Sequence, residues 1–161
     1  MPLGVNEMTV LDITRGYATF ANGGKQARAH SVLEIRRANG EVIYSRARNE
    51  EPARQVIPER VAGDLTRMMG QVITAGTARR ADLGYTPVAG KTGTTQSYRD
   101  AWFVGYTPDL VCGVWVGRDL KAPIGKKMTG AKAAQPIWNA FMSAYLDTLD
   151  EATRAEDFSI P

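Results

Sequence analysis

Apolar residues in "PERVAGDLTRMMGQVITAG", residues 58–76, fall at Val61, Leu65, Met68, Met69, Val72 and Ile73. That spacing predicts a helix with one inward face, begun by Pro58 and stopped by Gly76. In "EMTVLDITRGYATFA", residues 7–21, Val10, Ile13, Thr14 and Tyr17 share a helical face ahead of the Asn22-Gly23-Gly24 stop. A third helix is predicted from "AAQPIWNAFMSAYL", where Ile137, Trp138, Phe141, Met142, Tyr145 and Leu146 line up.

Other stretches read as extended. Two β-prone runs, residues 31–37 and 41–46, flank Asn39-Gly40, a dipeptide suited to the positive φ angles of a tight hairpin. Three further runs span about residues 88–95, 99–107 and 110–118, the last two joined through Thr107-Pro108-Asp109. Polar "NEEPARQ", the Gly/Lys/Pro-rich residues 121–131 and the charged end "DEATRAEDFSIP" read as a connection, a loop and a tail.

The order predicts an α+β fold: helix, hairpin, helix, then an antiparallel meander closed by a helix. Three strands and a helix make only a partial core, and the outer strands would keep unpaired backbone edges. Composition changes this picture little. The 161 residues, 43% hydrophobic and 23% charged, suit one globular domain. A net charge of +3, with basic pairs scattered among acids, gives no stripe for nucleic acid. Cys112, the only cysteine, sits in apolar "LVCGVWVG" and reads as a small packed thiol. No run reaches the roughly 18 apolar residues of a membrane span, and the first residues lack the pattern of a signal peptide.

The chemistry lies in "VAGKTGTTQS", residues 88–97. A phosphate-binding loop would need a glycine five residues before Gly90, where Tyr85 stands, and a helix after the lysine. The following "TGTTQSYRDAWFVGY" favours a strand instead. His30, the only histidine, lacks an identifiable acid or nucleophile partner and is a poor general base.

Lys91-Thr92-Gly93-Thr94, followed by "RDAWFVGYTPDLVCGVWVG" and preceded by "ITRGYATFANGG", resembles the transpeptidase domain of class A penicillin-binding proteins. The resemblance covers about residues 3–146. It implies a partial penicillin-binding, serine β-lactamase-like fold, with residues 1–149 as the C-terminal portion of the domain and 150–161 as the tail. The family's sites combine Ser-x-x-Lys, Ser-x-Asn and Lys-Thr-Gly. Only the third is found here: the residues three after Ser31, Ser45, Ser97 and Ser143 are Glu34, Arg48, Asp100 and Leu146, Ser159 is too near the end, and no serine has Asn two residues later.

By this resemblance Lys91 and Thr94 are catalytic, Lys91 by its charge and Thr94 by its backbone N–H as an oxyanion donor, while Thr92, Gly93 and Thr94 bind substrate. Both threonine hydroxyls are expected to face a substrate carboxylate, although a regular strand puts Lys91 and Thr92 on opposite faces. Asp100, Trp102 and Tyr106 are expected to serve packing and a surface ion pair. The implied partners are the D-Ala-D-Ala end of a peptidoglycan stem peptide, β-lactams and an N-terminal half carrying the serine. No metal or organic cofactor is implied, and no nucleic acid. Membrane attachment would come only through an anchor outside this sequence, with the parent protein on the extracytoplasmic face of the bacterial envelope. The rival readings are a non-catalytic binding module and, more remotely, a nucleotide-binding protein.

Overall fold

The computed structural model describes residues 7–120 and 122–160. Helix α1 spans Val10–Ala21, and Thr9 caps it by accepting the Asp12 N–H on Oγ1 at 3.1 Å. The hairpin consists of β1 (Glu34–Arg36) and β2 (Val42–Ser45), shorter than the predicted runs. Strand β1 is exposed throughout, while β2 is mostly half-buried and its end is held by Ser45 N–H donating to Asn49 Oδ1 at 2.9 Å. A one-turn helix, α2 (Arg46–Asn49), begins at the end of the predicted second strand and reaches the expected connection only at Asn49. Short and without an apolar face, it has no periodic signal to read.

Helix α3 (Glu59–Thr74) buries Ala62, Gly63, Thr66 and Ile73. Val61 and Met68, counted on the inward face, are instead 38% and 66% exposed. The small residues allow α3 to approach closely, and Thr66 Oγ1 lies 2.8 Å from the Tyr106 hydroxyl inside the core.

The main sheet is antiparallel in the order β3 (Ala89–Thr94), β4 (Asp100–Tyr106), β5 (Val111–Gly117). The meander therefore forms within a residue or two of its predicted limits. Helix α5 (Gln135–Leu146) packs on one face through Trp138, Met142 and Leu146, spaced by four. Trp138 stacks edge-on against Phe103 at 5.1 Å, and its Nε1–H donates to Gly105 O. Ile137 and Phe141, predicted on the same face, are 52% and 53% exposed. Helix α1 covers the other face of the sheet at β5. There Gly113 leaves room for Thr14, whose Oγ1 would stand 2.1 Å from a Cβ on that glycine.

The predicted loop 121–131 gives way to a short helix, α4 (Gly130–Ala133), directly ahead of α5. The expected charged tail contains α6 (Glu151–Arg154) and then returns to the body, where the Phe158 ring meets Tyr106 at 5.5 Å. Its apolar residue outweighs its charged composition locally, because an aromatic pair gains from burying area. No helix among the described residues is long and apolar enough to cross a membrane.

Candidate functional site on the outer strand

Strand β3 pairs only with β4 among the described strands, so its other edge is open. Burial changes along it: Ala89 and Gly90 are buried, whereas Lys91, Thr92, Gly93 and Thr94 reach the surface. The register aligns Lys91 with Val104, Thr92 with Phe103, Gly93 with Trp102 and Thr94 with Ala101. Just past the strand, Thr95 N–H donates to Asp100 O at 3.1 Å. In an antiparallel ladder, alternate pairs exchange both backbone bonds. The Thr95–Asp100 bond thus assigns exchange to the Gly93 and Lys91 pairs, and it turns the N–H and C=O of Thr92 and Thr94 toward the open edge.

The side chains follow the same period. Thr92 lies beside Phe103 and Thr94 beside Ala101, on the α5 side; Lys91 and Gly93 belong to the opposite face. The conflict foreseen between Lys91 and Thr92 is therefore real in the strand. Lys91 reduces it by curling to the edge, where Nζ donates to Thr92 O at 2.9 Å. Thr92 and Thr94 share a side, but their hydroxyls are engaged within the chain: Thr92 Oγ1 lies 2.9 Å from Thr77 Oγ1, and Thr94 Oγ1 accepts the Gly130 N–H at 3.0 Å.

The turn after β3 is held by Asp100. Its N–H donates to Thr95 Oγ1 at 2.9 Å, Thr95 Oγ1 donates to Oδ2 at 2.8 Å, and Trp115 Nε1–H donates to Oδ1 at 3.0 Å. These bonds give Asp100 a structural part in the turn. Ser97 and Tyr98, at φ 61° and 53°, take left-handed backbone in that turn. Tyr98 O accepts Ile124 N–H at 2.8 Å, joining the turn to the segment before α4.

His30 is exposed and contacts Arg46, remote from β3. Cys112 is half-buried against the core, and burial pushes its thiol pKa up. A cleft of about 500 Å³ lies between the hairpin and residues 46–53, also away from Lys91. Because Lys91 and Thr92 sit inside a strand that runs into a single 3₁₀ turn, the geometry lacks the helix N-terminus of a phosphate loop. Sequence reading did not bring out Thr77, Thr95 or Gly130. Thr129-Gly130 ahead of "AKAAQP" is a faint helix-start signal, but its contact with Thr94 spans 36 residues and is purely tertiary.

The penicillin binding protein transpeptidase domain matches residues 2–143. Penicillin-binding protein 1A of Aquifex aeolicus is 40% identical over 164 residues, covering 100% of this chain and 21% of the relative. The protein of the same name from Neisseria flavescens is 40% identical over 144 residues, 86% of this chain and 18% of the relative. The chain thus spans about a fifth of the length of these relatives. Among solved structures, the penicillin-binding protein PonA1 from Mycobacterium tuberculosis superposes with a TM-score of 0.87 at 33% identity, covering 99% of this chain and 42% of that one. PonA1 in complex with penicillin V gives 0.83 at 32% identity, with the same two coverages.

Proposed function

Because the chain belongs to the penicillin-binding protein transpeptidase family, we propose that it supplies the strand side of a D,D-transpeptidase site that cross-links peptidoglycan stem peptides. A serine nucleophile comes from residues outside these 161, in an N-terminal half of the domain. The observation that carries this reading is the open edge of β3, where Thr92 and Thr94 direct their backbone groups outward beside Lys91.

An extended acyl donor pairs with that edge by strand addition. The serine oxygen attacks the carbonyl between the two D-alanines, forming the acyl-serine ester as the C–N bond breaks and D-alanine leaves with a proton. An amine from a neighbouring strand then attacks the ester, forming the new amide and returning the proton to serine. Thr94 N–H is one of two donors to the tetrahedral oxyanion, the other being the N–H of the serine itself. Lys91 adds positive charge beside the serine, which favours proton transfer and draws in the donor's carboxylate. In the isolated chain its ammonium rests on Thr92 O. An incoming strand therefore displaces it from the edge.

The neighbour solved with penicillin V supports β-lactams as acyl-donor mimics for this site. The relatives' name supports a place on the extracytoplasmic face of the envelope, with any membrane anchor outside this sequence. Residues 1–149 form the domain portion in this reading.

Fluorescent penicillin tests the proposal. The chain alone forms no adduct, whereas co-expression with the upstream half of a class A transpeptidase domain gives a complex in which the upstream polypeptide is labelled. A stable stoichiometric adduct on this chain alone, or an unlabelled complex, overturns it. The absence of any Ser-x-x-Lys among its five serines favours one other reading, a non-catalytic module. Reversible β-lactam binding by this chain, together with an unlabelled complex, would support that alternative.

A further inference from the structure

Thr94 is held from outside the sheet. Gly130, the first residue of α4, donates its N–H to Thr94 Oγ1 at 3.0 Å. The contact also depends on the absence of a side chain: a Cβ on Gly130 would stand 2.2 Å from Trp102 O, 2.6 Å from Gly93 O and 3.2 Å from Gly93 N. Both oxygens are backbone atoms of the paired strands, so they cannot swing aside as a flexible side chain would. Gly130 is itself buried, and the segment before it is tied to the β3–β4 turn through Ile124 N–H and Tyr98 O. The end of β3 is thus fastened to the start of α4 by one hydrogen bond and by steric contact across the Gly93–Trp102 pair.

We propose that Gly130 is a positioning residue for acyl transfer, setting both the Thr94 backbone N–H and the direction of the Thr94 hydroxyl. This rests on the transpeptidase reading. A hydroxyl has one proton and two lone pairs. With the Gly130 N–H occupying a lone pair, the Thr94 O–H is free to donate, so the side chain presents a donor to an anionic group of the acyl donor. The same contact fixes the strand end that carries the outward N–H. An oxyanion donor acts only when its geometry is set before the charge develops. A misplacement of about 1 Å costs about 10²-fold in rate.

The test uses the whole chain in complex with the serine-bearing upstream half, and measures the acylation rate constant separately from the affinity of the initial non-covalent penicillin complex. Gly130→Ala lowers the rate constant by about 10²-fold. Thr94→Val keeps the shape and removes the hydroxyl, lowering the rate constant about tenfold, a partial loss compared with deletion of an oxyanion donor. Thr94→Ser restores most of that loss. A purely structural role would instead move thermal stability in step with activity across these variants. Amide hydrogen exchange on the full chain gives a readout free of catalysis: the Gly130 N–H exchanges faster in Thr94→Val and slows again in Thr94→Ser.

Failure of Gly130→Ala to fold leaves the threonine pair to decide the matter. An unlabelled unsubstituted complex overturns the transpeptidase reading and this inference together. Normal labelling of the unsubstituted complex, with Thr94→Val acylating at an unchanged rate or Gly130 exchange unaltered, overturns this inference alone.

Discussion

Strands β3 and β4 run side by side through six aligned pairs, yet they contribute to the molecule in opposite ways. In β4, Ala101, Phe103 and Tyr106 have no exposure and Val104 has 2%, and the strand is paired on both sides. In β3 only the first two residues are buried, and one edge is open. Side chains decide the value of β4, through packing against α5 and α3. Backbone direction decides the value of β3, because its outward groups belong to residues whose side chains bear little weight in the core. A buried strand thus serves as the ruler against which an exposed strand is held.

The largest effect on stability is expected inside β4. Phe103→Ala empties the site facing Trp138 and should cost about 3–5 kcal/mol, measured by urea unfolding of the chain; a loss below about 1 kcal/mol would break the contrast. Tyr106→Phe comes next. It removes the hydroxyl bonded to Thr66 and should cost about 1 kcal/mol.

The same tyrosine gives the contrast a pH signature. Burial, the main cause, pushes the Tyr106 pKa up to about 12 against an ordinary value of 10.0. Its contribution to stability is fully present below about pH 10. It is lost as pH rises toward about 12, because the unfolded chain releases the proton first. Alkaline unfolding of Tyr106→Phe should lack that component; an identical alkaline limb would show that the phenol is not held by the fold. The smallest stability change belongs to β3. Lys91→Ala should shift unfolding by no more than about 0.5 kcal/mol, while strongly slowing penicillin acylation in the complex with the upstream half. A large loss of stability, or an unchanged acylation rate, would erase the difference between the strands.

What sequence reading recovers follows the same division. The meander was legible because Val, Phe, Trp and Tyr recur in short runs between Gly and Pro, and Lys91 through Thr94 stand together in one run. The helices were legible in extent, since their periodicity is local. Their inward faces were less so: α3 buries Ala62, Gly63 and Thr66 while leaving Met68 out, because close approach selected small residues over apolar ones. In α5, Trp138, Met142 and Leu146 face the sheet, but Ile137 and Phe141 lie one position earlier in each turn and rotate away. The bonds from Thr77 to Thr92 and from Gly130 to Thr94 span 15 and 36 residues. No spacing rule reaches that far. Phe158 was hidden in a charged stretch for the same reason, its partner Tyr106 being visible only once the chain had folded back.

The outward N–H of Thr94 has an evolutionary corollary. On its proposed role it is the same group in nineteen of the twenty amino acids, since proline alone lacks it. Point substitution at that codon therefore offers selection almost no way to delete the donor, although it can still remove the hydroxyl held by Gly130. Weakening of the donor itself has to come from tilting the strand end relative to its neighbours, through supporting residues such as Gly130 and Asp100. Variants that impair the donor while leaving Lys91 and the Thr94 hydroxyl unchanged should accordingly map to the supports of the strand.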